Sequence, residues 1–121
     1  MTRVLVVEDE EALRVLAESC LQELGYETLS AGTPTEALAV LAEHSADILF
    51  TDITMGNDFE AGLKLGKAAV EIKTDLAVLS TTGRGITDGM RALFVEKSGY
   101  LAKPYTIDQF GTALQNLIPP K

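Results

Sequence analysis

The stretch Arg3-Val4-Leu5-Val6-Val7-Glu8-Asp9 decides the fold. Four apolar residues in a row, too few for a helix and rich in valine, read as a strand buried on both faces, which is the signature of a parallel sheet. Two acids follow the run directly. A second run of the same kind, Ile48-Leu49-Phe50-Thr51, leads into a third acid, Asp52. If the two strands are neighbours, three carboxylates converge at one sheet edge, and like charges that close raise one another's pKa. A hard divalent cation with oxygen ligands is the simplest relief. The cluster is therefore a candidate for magnesium-assisted phosphoryl chemistry, in which the metal bridges phosphate and protein oxygens.

Outward from these strands, helix and strand patterns alternate. Residues 10 to 24 carry Leu13, Leu16, Ala17, Cys20, Leu21 and Leu24 at helical spacing, and Gly25 suits a left-handed cap. Cys20 thereby reads as core. A short strand over 26–30 follows, then Thr33-Pro34 with Glu36, which predicts an N-cap with proline at the first helical position. Leu38, Leu41 and Ala42 give the second helix its apolar stripe, and His44 stands at its end as a solvated residue. The strand over 47–51, a Gly-, Asn- and Asp-rich loop, a helix over 60–72 and a strand over 76–80 come next. The pattern then weakens around Gly85 and Gly89, where a short amphipathic helix is expected over 86–96. Residues 99 to 102 form a fifth strand, Lys103-Pro104 a turn, and Thr106 with Gln109 a capping box for a last helix to about 117, ended by Pro119 and Pro120.

Five strands separated by helices imply crossover connections. The expected fold is α/β: a doubly wound, five-stranded parallel sheet of order 2-1-3-4-5, flavodoxin-like, with helices on both faces. Ligands of such sheets bind beyond the carboxyl ends of the strands where the order reverses, here between strands 1 and 3. Glu8, Asp9 and Asp52 stand at that point, and Thr82 after strand 4 and Lys103 after strand 5 come from the same edge.

Composition narrows the classes of function. With 121 residues, 46% of them hydrophobic, residues 1–121 read as one domain with a full core. Ten Lys and Arg against eighteen Asp and Glu leave a net charge of -8, which disfavours a nucleic acid as direct partner. A single cysteine excludes an internal disulfide, and no apolar run approaches the roughly 20 residues of a membrane span. No signal-peptide pattern opens the chain. A soluble, cytoplasmic protein is the expectation.

The motifs Val6-Val7-Glu8-Asp9-Glu10, Phe50-Thr51-Asp52-Ile53-Thr54-Met55, Ser80-Thr81-Thr82-Gly83 and Gly99-Tyr100-Leu101-Ala102-Lys103-Pro104, in this order, resemble a response-regulator receiver domain of two-component signalling, of the single-domain chemotaxis-regulator kind. The resemblance covers essentially the whole chain. It implies that Asp52 accepts a phosphoryl group from a sensor histidine kinase or phosphotransfer protein. It further implies that Glu8, Asp9, Asp52 and the Thr54 carbonyl hold Mg2+, Glu8 through a water. Lys103 and Thr82 are then the phosphoryl contacts, Thr82 and Tyr100 the switch pair, and Gly83 leaves access to the phosphoryl group. The changed surface would be helix 4, strand 5 and helix 5, roughly 86–117, read by a downstream protein target. The peptide bond before Pro104 is expected to be cis, as is common in that family. Such a domain catalyses its own modification and is not classed as an enzyme.

One departure stands out. Many receivers have proline after the methionine that is Met55 here, whereas this chain has Gly56, and the segment to Gly62 is one or two residues longer than usual. Loop glycine raises conformational entropy, so a less preorganised backbone is expected beside the metal. Two other readings stay open. One is a phosphorylation-independent interaction module on a degenerate receiver fold. The other is an aspartyl-phosphate hydrolase, disfavoured because Thr54 stands where such enzymes carry a second aspartate. The domain either acts alone or was cut from a longer chain.

Overall fold

Side chains of alternate parity along the first strand belong to two different cores, which explains why the strand is apolar throughout. Val4 and Val6 pack on one face with Ile48, Phe50, Ala77 and Leu79, while Leu5 and Val7 pack on the other with Leu49 and Val78. A computed structural model describes residues 2–118. Its elements are β1 (Arg3–Val7), α1 (Glu11–Glu23), β2 (Glu27–Ala31), α2 (Pro34–Glu43), β3 (Ile48–Asp52), α3 (Ala61–Ile72), β4 (Ala77–Thr82), α4 (Asp88–Arg91), β5 (Ser98–Ala102) and α5 (Ile107–Leu117).

The sheet order is β2-β1-β3-β4-β5, and every pairing is parallel. Crossover helices therefore cover both faces. Ala17 and Leu21 of α1 with Phe110 and Leu114 of α5 close one core; Ala37 and Leu41 of α2 with Leu65 and Ala69 of α3 close the other. Phe110 is fully buried and stacks at 4.5 Å on Phe50 and 5.1 Å on Tyr105. This aromatic group sits directly beneath the end of β3, so the backbone that presents Asp52 rests on a filled core.

The expected start signals are realised. The Thr33 side chain accepts from the Glu36 amide at 3.1 Å with Pro34 in the first turn. Thr106 and Gln109 form the reciprocal box, with amide-to-side-chain bonds of 3.1 and 2.8 Å. Gly25 has φ +94°, and the Lys103–Pro104 bond is cis. Pro119 and Pro120, expected to end α5, lie outside the described residues.

Three expectations are corrected. The fourth helix is a four-residue turn, Asp88–Arg91, with no buried residue, and not the helix over 86–96. Gly85 and Gly89 disfavour helix there, and none of the residues Asp88–Arg91 is buried to compensate, although Val95 beyond them packs on the core. Strands 3 and 4 run one to two residues further than the apolar runs, so Asp52 and Thr82 are the last residues of their strands; the ladder pairs Asp52 with Thr81 and Thr82 with Ala102. Leu13 and Leu16 of α1 are exposed, at 38% and 59%, and Cys20 is half-buried. The stripe on α1 is wider than the face that the sheet covers.

Helix α3 begins hard against the end of β3. The Gly62 amide donates to the Ile53 carbonyl at 2.8 Å, and a Cβ at Gly62 would collide with the Asp52 carbonyl and the Ile53 backbone. Because those obstacles are main chain, Gly62→Ala should cost about 2 kcal/mol or more in urea unfolding. An unchanged midpoint would show that α3 can back away from β3 freely.

Candidate functional site

Register builds the site. Val7 lies opposite Thr51 in the β1–β3 ladder, so the next residues, Glu8 and Asp52, emerge side by side where the strand order reverses. Both are buried, with relative exposures of 6% and 9%. Lys103, one residue beyond β5, reaches across to both: its Nζ donates to Asp52 Oδ2 at 2.7 Å and to Glu8 Oε2 at 3.2 Å. The remaining Asp52 oxygen, Oδ1, accepts from the Thr54 amide at 3.2 Å. Arg14 of α1 steadies the β1 end, donating from Nη1 to the Glu8 carbonyl at 2.9 Å.

The electrostatics follow from burial and neighbours. Burial, with the Asp52 charge added, pushes the Glu8 carboxyl up to about 7 although the Lys103 ammonium opposes it. For Lys103 burial alone would lower the pKa, but the hydrogen bond and charge of Asp52, joined by Glu8, outweigh it and the net direction is up. The two partners thus both move upward for different reasons: desolvation wins at Glu8, and the carboxylates win at Lys103. Asp9 behaves oppositely. It is exposed, and its Oδ2 accepts from the Gly56 amide at 2.9 Å, which holds its carboxyl below the usual range.

The structure brings Glu8, Asp52 and Lys103 into direct contact, with Asp9 and Thr54 at the rim. Among the described residues no three His, Cys, Asp or Glu side chains form a ready-made metal cage; Lys103 stands between two of the carboxylates and Asp9 is engaged by Gly56. Thr82 is buried, and its hydroxyl accepts from the Arg84 amide at 3.1 Å rather than facing Asp52. Tyr100 is 36% exposed, with its hydroxyl 3.5 Å from the Thr82 carbonyl oxygen. His44 is the C-cap residue of α2, is exposed and makes no side-chain contact with these groups.

A cleft of about 600 Å³ opens beside the three contacting residues, walled by Leu13, Leu16 and Cys20 of α1 and by Tyr105. The exposed leucines of α1 therefore border the acid that the sequence singles out.

The β3–α3 loop is more ordered in its bonding than its composition suggests. Met55 and Asp58 exchange two backbone hydrogen bonds of 3.1 Å, closing a miniature hairpin over Gly56-Asn57. Asp58 accepts from the Glu60 amide at 2.9 Å and from Lys64 Nζ at 3.0 Å. On the far side, the Arg84 guanidinium lies 4.7 Å from the Phe59 ring centroid and joins this loop to the one after β4. Arg14, Gly56 and Arg84 were not singled out as site residues by sequence reasoning. Two of the three act through main-chain amides, which every residue type except proline supplies.

A parallel sheet of order 2-1-3-4-5 with acids and a lysine at its switch point defines a narrow class of signalling and ligand-binding α/β folds. The chain belongs to the response regulator receiver domain family, whose model matches residues 4–115. It is 26% identical over 118 residues to protein PilG of Pseudomonas aeruginosa, covering 97% of this chain and 87% of that protein. To the virulence transcriptional regulatory protein PhoP of Salmonella typhimurium it is 34% identical over 119 residues, 98% of this chain, and it spans about half, 52%, of that regulator. Among solved structures, chemotaxis protein CheY4 of Vibrio cholerae matches with TM-score 0.86 at 25% identity, over 98% of this chain and 99% of that one. Response regulator protein TrrA of Thermotoga maritima, solved in complex with Mg(2+)-BeF, matches with TM-score 0.83 at 28% identity, over 98% and 100%.

The raised Glu8 has a stability consequence. Its folded pKa, about 7, lies above the ordinary 4.5, so the fold favours the protonated form. Stability from this group is fully present below 4.5 and is lost as pH rises towards 7. In metal-free protein, wild type should lose stability relative to Glu8→Gln across that window, read as urea midpoints against pH. Parallel profiles for the two proteins would contradict this charge balance.

Proposed function

We propose that this chain is a phosphoacceptor receiver that takes a phosphoryl group onto Asp52 from a histidine kinase or phosphotransfer protein. The observation that carries the reading is the Lys103 ammonium 2.7 Å from the Asp52 carboxylate, at the mouth of an open cleft in a chain of this family. An Asp52 oxygen attacks phosphorus while the bond from phosphorus to the donor's nitrogen breaks, giving an acyl phosphate. Lys103 can follow the charge from carboxylate to phosphoryl oxygen without leaving the site. The Thr82 hydroxyl, which accepts from the Arg84 amide, would donate to a phosphoryl oxygen once Asp52 is modified.

Mg2+ fits the donor set. The acidic donors are all carboxylate oxygens; two of them, Glu8 and Asp52, share the single Lys103 ammonium, and Asp9 lies exposed at the rim. Asp9 and Asp52 would bind directly, Glu8 through water, and the Thr54 carbonyl would complete the protein ligands. When bound, the metal supplies charge neutralisation at the transferring group. TrrA, a relative in fold, has been solved with Mg(2+)-BeF.

Modification would shift the surface of α4, β5 and α5 through the differential contacts of Thr82, Tyr100 and Lys103 in the two states. A downstream protein, not a nucleic acid, is the proposed reader, given the charge of -8. The site of action is the cytoplasm, and no described helix is long and apolar enough to cross a membrane. The chain promotes its own modification and is not an enzyme acting on an external substrate.

Incubation with acetyl phosphate and magnesium should add one phosphoryl group by intact mass, and Asp52→Asn should abolish the gain. Lys103→Met should slow it by roughly a hundredfold, as expected for loss of one charge stabiliser. Folded wild type that binds magnesium yet gains no mass would favour the phosphorylation-independent interaction module.

A further inference from the structure

Gly56 stands where many receivers carry proline, and the structure gives that difference a chemical meaning. Proline has no amide hydrogen; glycine does. The Gly56 amide donates to Asp9 Oδ2 at 2.9 Å across 47 positions of sequence. Nothing lies within 4 Å of a Cβ at this position, so packing does not demand glycine. Its φ of +59° does favour it, and glycine or asparagine adopts that conformation at least cost.

The donor is presented by a fixed element. Met55 is buried in the core, the Met55–Asp58 pair closes the hairpin with two backbone bonds, and Asp58 ties its base to Glu60 and Lys64 at the head of α3. Asp9, by contrast, is the exposed member of the acid cluster. The hairpin therefore holds the Gly56 amide with several bonds and aims it at an exposed carboxylate.

We propose that the Gly56 main-chain amide is a positioning donor for Asp9, and that the 55–58 hairpin is thereby coupled to the charge state of the metal site. A carboxylate offers about four acceptor positions, so Asp9 can keep the hairpin bond while a divalent cation draws on its remaining lone pairs. A divalent cation held there would draw electron density from the Asp9 carboxylate and weaken its bond to the Gly56 amide, so the hairpin would register metal occupancy at its own backbone. The coupling rests on the magnesium reading of the site; the positioning bond does not.

The test is amide hydrogen exchange and nitrogen-15 NMR of the full chain, first without metal. The Gly56 amide should exchange about tenfold more slowly in wild type than in Asp9→Ala, as for one hydrogen bond of ordinary net strength. Asp9→Asn, which keeps an acceptor oxygen, should restore most of the protection, an outcome that a general loosening of the loop would not produce. Equal exchange in all three proteins overturns the positioning role. Magnesium chloride is then titrated while calorimetry follows binding. The Gly56 resonance should shift with the calorimetric midpoint, in wild type and in Gly56→Asn for residue 56. Magnesium binding with a silent residue 56 overturns the coupling and leaves the phosphoacceptor reading intact. Absence of any magnesium binding overturns the metal reading and the coupling with it.

Discussion

Two carboxylates buried side by side with one ammonium between them are the constraint on which this structure turns. At an effective dielectric of about 20, like charges some 4 Å apart repel by roughly 4 kcal/mol, a large fraction of the whole stability of a small domain. Lys103 offsets part of that cost through its contacts with Asp52 and Glu8, and the proton affinity of Glu8 absorbs part of the rest. The arrangement is only possible because the sheet order makes β1 and β3 neighbours while β5 ends at the same edge. Topology, in other words, sets the electrostatic problem and also supplies the cation.

Such a centre is poised rather than relaxed. A group that brings oxygen acceptors to Asp52 competes for Lys103, and one that brings positive charge competes with it. Thr82 and Tyr100 lie one layer away, joined through the Thr82 backbone and hydroxyl to Arg84, and Arg84 in turn stacks on Phe59 of the neighbouring loop. Two loops that flank the site are therefore linked to each other across its rim. The short α4, with no buried residue, is weakly held by packing, which suits a segment whose conformation responds to small changes at β4.

Much of this was legible in the sequence because strong local signals agreed with the global fold. The apolar runs at Val4 and Ile48 read as buried strands, Thr33-Pro34 and Thr106 with Gln109 read as helix starts, and the acids and Lys103 fell at one edge once the order was assumed. The features that escaped are those that propensity and periodicity do not encode. Leu13 and Leu16 match the helical period of α1, yet they stay exposed along the cleft beside Asp52 and are not packed into the core. The segment after Gly85 has helical residues, but none of Asp88–Arg91 is buried and contact with the core is made only further on, at Val95, so just four residues form helix. The loop after Asp52 looked slack from its Gly and Asn content, whereas paired main-chain bonds close it into a hairpin. Main-chain donors such as the amides of Gly56, Thr54 and Arg84 belong to every residue type except proline, so which of them are used emerges only in three dimensions.

The most direct measurement is the structure of the protein crystallised with magnesium and beryllofluoride, a mimic of the phosphoryl group. The account predicts beryllium on the Asp52 carboxylate, Lys103 Nζ moved from carboxylate to fluoride, and the Thr82 hydroxyl released from the Arg84 amide towards the adduct. A folded protein with saturating beryllofluoride, an unmodified Asp52 and Lys103 still bridging Asp52 and Glu8 would contradict it.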